Sequence, residues 1–251
     1  MSSLITRRNL LTGLGFTVIA GGTAGLVFSP SFRELILPLG EKLSYQTHRL
    51  IGRDALAPEF TEADMSPDFR TNGNTMPASN AYQAHAAKAF ANWQLHIDGL
   101  VTAPKTLSLA AIKSLPARTQ ITRHDCVEGW SAIGKWTGLP LANLLDQVGL
   151  QPTARYLVLH CADDFNGQPY YESIDLVDAF HPQTILAYSM NDQPLSVGHG
   201  APLRLRVERQ LGYKQAKYIM RIEAVASLTE IGLGKGGFWE DNIGYDWYAG
   251  I

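Results

Sequence analysis

The chain has 251 residues, a formal net charge of −2, 45% hydrophobic and 18% charged side chains. That length exceeds one minimal domain and falls short of two large ones, and the near-neutral balance argues against a nucleic-acid partner. Two cysteines rule out a disulfide-stapled scaffold and a four-cysteine zinc module, and without Cys-x-x-Cys-His there is no covalent c-type haem.

The N-terminus reads Thr6-Arg7-Arg8-Asn9-Leu10-Leu11, followed by an uncharged run from Asn9 to Phe32. Paired arginines ahead of an apolar stretch diluted by glycine and threonine read as a twin-arginine export signal over residues 1–30. That route carries folded proteins to the bacterial periplasm. An ordinary signal or anchor helix is the alternative. Leu10–Phe28 is just long enough to span a bilayer core, and Gly22-Thr23-Ala24 is a weak cleavage site, so an uncleaved anchor stays open.

Residues 31–68 read as a connector with one helix around Glu41–Ile51, and residues 69–251 as the main domain. Trp93–Ile97 alternates like a half-buried strand that turns at Asp98-Gly99. Ser108 caps a helix through Leu115, stopped by Pro116, and Ile121–Cys126 is extended. Pro140 opens a helix to Val148, which Gly149 ends. Arg155–Cys161, Ile185–Tyr188, Leu203–Val207 and Tyr218–Val225 are further strands, with a turn at Asn191-Asp192. Many strands with few long helices predict an α+β domain and not a doubly wound parallel sheet. Neither GxGxxG nor GxxxxGK[ST] occurs, so dinucleotide and P-loop readings lack support.

Two clusters carry chemistry. The first is Arg123-His124-Asp125-Cys126-Val127-Glu128-Gly129-Trp130-Ser131. A cysteine at a strand end after Arg and His is expected to have a lowered pKa, as a nucleophile or a soft metal centre requires. A Cys126–Cys161 disulfide is the plain alternative. The second begins at His199-Gly200-Ala201-Pro202 and carries Arg204, Arg206, Arg209, Lys214, Lys217 and Arg221. Such a run is either a solvated face or a shaped loop whose cations and N–H groups hold a phosphate.

These segments, in this order, with Trp136-Thr137-Gly138-Leu139-Pro140-Leu141, His181-Pro182 and Gly212-Tyr213-Lys214-Gln215-Ala216-Lys217, resemble the sulfite oxidase superfamily of molybdopterin enzymes. The bacterial envelope branch, which includes the methionine-sulfoxide reductases, is the nearest part. The resemblance covers roughly residues 69–248 and implies a mixed-sheet, barrel-like α+β fold with a molybdenum–molybdopterin cofactor. It implies that Cys126 ligates the metal and that Cys161 lines the cofactor pocket. His199, Arg204, Gln215, Ala216 and Lys217 fall on the segment that grips the pterin and its phosphate. Asn72, in Phe69-Arg70-Thr71-Asn72-Gly73, falls on a loop that contacts the pterin. Arg123, His124, Arg70 and Trp130 are candidates for the substrate side.

The sequence departs from sulfite oxidases proper, which carry arginine soon after the metal cysteine where this chain has Val-Glu-Gly-Trp-Ser. The expected activity is therefore oxygen-atom transfer to or from a small sulfur-containing substrate. No haem, flavin or iron–sulfur ligand set is evident, so electrons are expected to pass through a separate protein, by resemblance a membrane haem protein. Two other readings stand beside this one. One is a cysteine hydrolase using Cys126 and His124, which share a strand face. The other is a membrane-tethered binding domain without catalysis.

Overall fold

The structure, a computed structural model, describes residues 30–251, apart from the side chains of residues 31–38 and 41. The paired arginines and the apolar stretch lie outside the described residues. Two units divide after Gly52. The first contains α1 (Pro30–Ile51), longer than the helix expected from Glu41, with Leu50 and Ile51 exposed at its end. Pro30 suits a first helical position because its missing N–H has no helical partner there. No helix among the described residues is long and apolar enough to cross a membrane.

The second unit, Arg53–Ile251, is built on two open five-stranded sheets, with no closed barrel among the described residues. One sheet runs β2 (Lys105–Ser108), β1 (Gln94–Gly99), β10 (Ile219–Val225), β5 (Tyr156–Phe165), β6 (Gln168–Asp175). Its β1–β10 pair is parallel and its other pairs are antiparallel. The second sheet runs β3 (Arg118–Asp125), β4 (Ser131–Pro140), β7 (Ile185–Met190), β8 (Gln193–Pro194), with β9 (Arg204–Arg206) also paired to β7. The short helices are α2 (Asn80–Ala87), α3 (Leu109–Ser114), α4 (Leu141–Val148), α5 (Leu176–Ala179) and α6 (Phe238–Asn242). This is the α+β architecture that the sequence predicts.

Local chemistry explains the element ends. The Ser108 hydroxyl accepts from the Ala111 N–H at 3.2 Å and caps α3. In α4 the residues Leu141, Leu144, Leu145 and Val148 are buried, one face of a helix, at about 1.5–3 kcal/mol per fully buried side chain. Gly149 ends α4 at φ 62°, where any Cβ would also lie 2.4 Å from the Thr102 hydroxyl. Asn191 and Asp192, both at positive φ, turn β7 into β8.

In β3 the side chains alternate. Gln120, Thr122 and His124 point into the core, while Thr119 and Arg123 face solvent. The segment before it flanks this strand pair, since Glu59 bridges Thr122 on β3 and the Ser66 N–H donates to the Ile133 carbonyl on β4. The core runs between the sheets through Trp93, Leu95, Trp136, Leu159, Leu186, Leu205 and Ile222.

Candidate functional site

Cys126 follows the last residue of β3 and opens the turn into β4. Its N–H donates to the Trp130 carbonyl at 2.9 Å, and its own carbonyl accepts from the Gly129 N–H at 3.0 Å. The turn is thus closed on both sides, and it delivers the Cys126 side chain to a cavity of about 150 Å³. Asn72 and Asn74 from the preceding loop, Asp163 on β5, and Gln215 and Lys217 line the same cavity. Four of the sequence candidates, Asn72, Cys126, Gln215 and Lys217, therefore meet in one place.

The cavity lining carries Lys217 with the carboxylates Glu128 and Asp163, and Arg204 lies behind that lining, not in it. Arg204 is fully buried, donates to the carbonyls of His199 at 3.0 Å and Gln215 at 3.5 Å, and leaves its Nε without a partner. Burial, with Arg206 nearby, pushes Arg204 down to about 9, so it stays charged at neutral pH. Lys217 spends its three donors on the carbonyls of Asn72 (2.6 Å), Asn74 (2.5 Å) and Gly198 (3.0 Å). Burial and Arg204 push it down to about 7. Asp163 is buried, accepts from Asn74 Nδ2 at 3.2 Å through one oxygen, and has no partner for Oδ1. Burial pushes its carboxyl up to about 6.

Other sequence candidates land elsewhere. Arg123 is turned to solvent, its side chain 56% exposed and paired with Asp125 at 2.9 Å. His124 is fully buried, and its Nδ1 accepts from Arg206 Nη1 at 3.1 Å. Burial first, then Arg206 and Arg204, hold its pKa well below the usual imidazole value. The expected lowering of the thiol by these two neighbours is therefore corrected. Neither aims a charge at Cys126, and burial pushes that thiol up. A cysteine hydrolase is left without its base.

Cys161 and Cys126 are both free, so the disulfide alternative falls. Cys161 does not line the Cys126 cavity. It lines two neighbouring clefts, one of which shares Asp163 with that cavity. His199 donates from Nε2 to the Phe69 carbonyl at 2.9 Å and bonds the Ser196 hydroxyl through Nδ1 at 2.8 Å, which anchors the 69–72 loop. Ala216 is buried, with its carbonyl accepting from the Leu205 N–H at 2.8 Å. Arg70 is exposed. Trp130 donates to Glu128 at 3.0 Å and so fixes a carboxylate on the cavity wall.

Sequence reasoning missed Asp163, Asn74 and Glu128. Asp163-Asp164 precedes the Asn166-Gly167 turn and reads as a solvated hairpin end, although Asp163 faces inward. It also missed what supports the floor. Gly212–Lys214 forms a 3-10 turn whose Gly212 and Tyr213 line the cavity, while Lys214 dives below it. Fully buried, the ammonium pairs with Glu172 of β6 and, at 2.7 Å, with Glu240 of α6. Burial holds the Glu172 carboxyl well above the usual carboxylate range.

The cavity pair gives a pH signature. A lysine whose folded pKa lies below its unfolded value of about 10.4 is held less protonated by the fold, so stability rises with pH between about 7 and 10. A raised Asp163 acts in the opposite sense, and stability falls as pH rises from about 4 to 6. Cofactor-free protein is expected to gain stability from pH 7 to 9.5 in denaturant titrations, and Lys217→Met to lose that gain. Equal alkaline gains in both proteins would refute it.

The model of one protein family, the oxidoreductase molybdopterin binding domain, matches residues 82–230, more than half of the chain. The chain belongs to this family. Among curated proteins it is 43% identical over 160 residues to a putative protein-methionine-sulfoxide reductase subunit, YedZ1, of Azospira oryzae, covering 64% of this chain and 56% of that one. It is 38% identical over 144 residues to the protein-methionine-sulfoxide reductase catalytic subunit MsrP of Ralstonia nicotianae, covering 53% of this chain and 44% of that one. The chain thus spans about half the length of these relatives. Among solved structures, the sulfane dehydrogenase SoxCD of Paracoccus pantotrophus shares the fold, with a TM-score of 0.50, 22% identity, and 55% and 39% of the two chains covered.

The residues of this molybdopterin-binding domain fit such a cofactor. Arg204, behind the cavity lining, is a buried guanidinium bonded only to carbonyls, and its unpartnered Nε leaves a donor for an anionic phosphate. Asp163 Oδ1 and Gln215 Oε1 are buried acceptors without partners. Among the described residues no group of three or more His, Cys, Asp or Glu side chains is set to hold a metal. A metal at Cys126 would take one soft protein ligand, with its other sulfurs from the pterin.

Proposed function

We propose that this chain is the catalytic part of a molybdenum-dependent oxidoreductase that removes an oxygen atom from a small sulfoxide-type substrate. The balance is R2SO + 2 H⁺ + 2 e⁻ → R2S + H2O, with the electrons drawn from a separate redox protein, of the membrane haem class by resemblance. One observation carries the reading: a thiol set at a strand end in a polar cavity, with the buried Lys217 on its wall and the buried Arg204 behind it, both bonded to carbonyls and to no carboxylate. Bound there, the molybdenum–molybdopterin group supplies two-electron redox and oxygen-atom exchange.

Cys126 is the soft protein ligand, Arg204 is the cation available to the phosphate end, and Lys217 holds the 72–74 loop against the site through its three donors. Asn72, Asp163 and Gln215 offer polar contacts to the pterin. Burial favours the neutral thiol, so the metal itself must hold Cys126 as thiolate. Glu128, held by Trp130, places an acceptor on the wall of the Cys126 cavity. The names of the YedZ1 and MsrP relatives support a sulfoxide over sulfite. So does Val-Glu-Gly-Trp-Ser in place of a sulfite-binding arginine.

The test is the molybdenum and pterin content of protein made in a cell able to build the cofactor. A screen of sulfoxides, N-oxides and sulfite with dye donors and acceptors then follows. Stoichiometric molybdenum with sulfoxide reduction is the expected result. Loaded protein that oxidises sulfite and leaves sulfoxides untouched would reverse the direction, and protein without molybdenum would favour the non-catalytic binding domain.

We also place the protein in the periplasm, on the strength of Arg7-Arg8 and the apolar stretch behind them. Arg7→Lys with Arg8→Lys keeps the positive charge and is expected to strand folded protein in the cytoplasm. Undiminished delivery in cell fractionation would point to the general secretory route.

A further inference from the structure

His124 shares a strand with Cys126, yet the proposed reaction gives it no part. The Nδ1 atom faces Arg206 Nη1 at 3.1 Å, and a guanidinium can only donate, so Nδ1 carries a lone pair and the ring proton sits on Nε2. Arg206 is itself fully buried and clamped twice by Glu208, Nε to Oε1 at 2.9 Å and Nη2 to Oε2 at 2.5 Å. Its guanidinium lies 4.4 Å from the centroid of the Trp136 ring. Glu208 Oε1 also accepts from Gln120 Nε2 at 2.8 Å, two residues before Thr122 on the same strand.

The opposite edge of the ring meets the second wall of the cavity. A Cβ on Gly212 would fall 2.5 Å from both Cε1 and Nε2 of His124, so the ring rests on bare backbone there. The Gln215 amide also stands beside the ring, though Nε2 and Gln215 Oε1 miss hydrogen-bond geometry with each other. His124 therefore lies between the strand that ends at Cys126 and the 212–217 segment that supplies Gln215 and Lys217.

We propose that His124 is a positioning residue, a neutral Nε2–H spacer locked by Arg206 and Glu208, which sets Cys126 against the Gly212–Lys217 wall. The effect on the cofactor rests on the molybdopterin reading above, whereas the ring state does not. Glutamine can imitate both edges of this ring, accepting from Arg206 and donating toward Gln215. Phenylalanine fills the space and does neither.

Two measurements decide it. Long-range ¹H–¹⁵N spectra of oxidised, histidine-labelled protein should show one imidazole with a protonated Nε2 and a bare Nδ1, lost in His124→Gln. An Nδ1–H ring at this position overturns the proposal, whether or not the protein holds molybdenum. Pterin release is then timed in the loaded variants. His124→Gln should stay within twofold of wild type, while His124→Phe loses pterin at least tenfold faster, with cofactor-free melting points of the two variants alike. If His124→Phe does not fold, Arg206→Met with Glu208→Leu decides in its place, because it leaves the imidazole and removes its donor. Wild-type retention in the phenylalanine or the double variant sinks the idea.

Discussion

Cys126→Ser is expected to fold, to melt close to wild type, and to lose oxygen-atom transfer altogether. The turn that presents this residue is closed by backbone bonds, Cys126 N–H to Trp130 O and Gly129 N–H to Cys126 O, which serine keeps. Its hydroxyl is nearly the same size but a far harder and less acidic ligand, a poor match for a soft metal centre. Removing a partner of a metal ligand commonly costs roughly 10–100-fold, and removing the ligand should cost more. Metal analysis and absorption spectra should change together. Cys161→Ser is the control, since Cys161 does not line the Cys126 cavity and should keep measurable turnover. Parallel loss of activity in both variants would place the chemistry elsewhere.

The second large effect concerns stability. Lys214→Met leaves Glu172 and Glu240 facing each other in a fully buried site without their ammonium. Breaking a buried ion pair from one side costs about 3–5 kcal/mol, because the remaining charge must stay buried or take up a proton. That is a large part of the 5–15 kcal/mol that holds a typical domain together. For a domain of this size the melting temperature should drop by roughly 6–20 °C. Adding Glu172→Gln and Glu240→Gln should recover part of the loss, since the stranded charges are then gone. A melting point within about a degree of wild type in the single variant would show that no carboxylate depends on Lys214.

The two variants separate what was legible from what was not. Where a strand alternates cleanly or a helix carries a cap, the residues announce the element. Ser108, Pro140, Gly149 and Asn191-Asp192 all stand where their chemistry demands. The strands that escaped notice lack alternation for a physical reason. In β4 the inward positions include Gly134 and Gly138, which carry no hydrophobic signal, and a Cβ on Gly138 would press to 2.3 Å from the Leu186 carbonyl. In β6 both faces are buried, and Glu172 and Ser173 are among the buried residues, so its pattern reads as a polar loop.

The site was half legible. Cys126, Asn72, Gln215 and Lys217, distant in sequence, line one cavity. Arg123 and His124 were judged by their distance from Cys126 along the chain. Pleating sends the first to solvent and the second into the core, so nearness in sequence was a poor guide to the cavity. Asp163 and Lys214 look like any charged residue until tertiary packing buries them.

The parallel pairing of β1 with β10 also bears on how the protein is made. Asp98 and Arg221, joined across it, are 123 positions apart, and β10 lies in the middle of its sheet. On the ribosome, which adds about 5–20 residues per second, β1 and β2 emerge early and wait for their central neighbour. The cavity waits longer still, because Trp239 and Tyr245 complete its wall. No nascent chain shorter than about residue 245 can present the full binding surface. The complete wall around Cys126 thus forms only once Tyr245 has left the ribosome, long after β1 and β2.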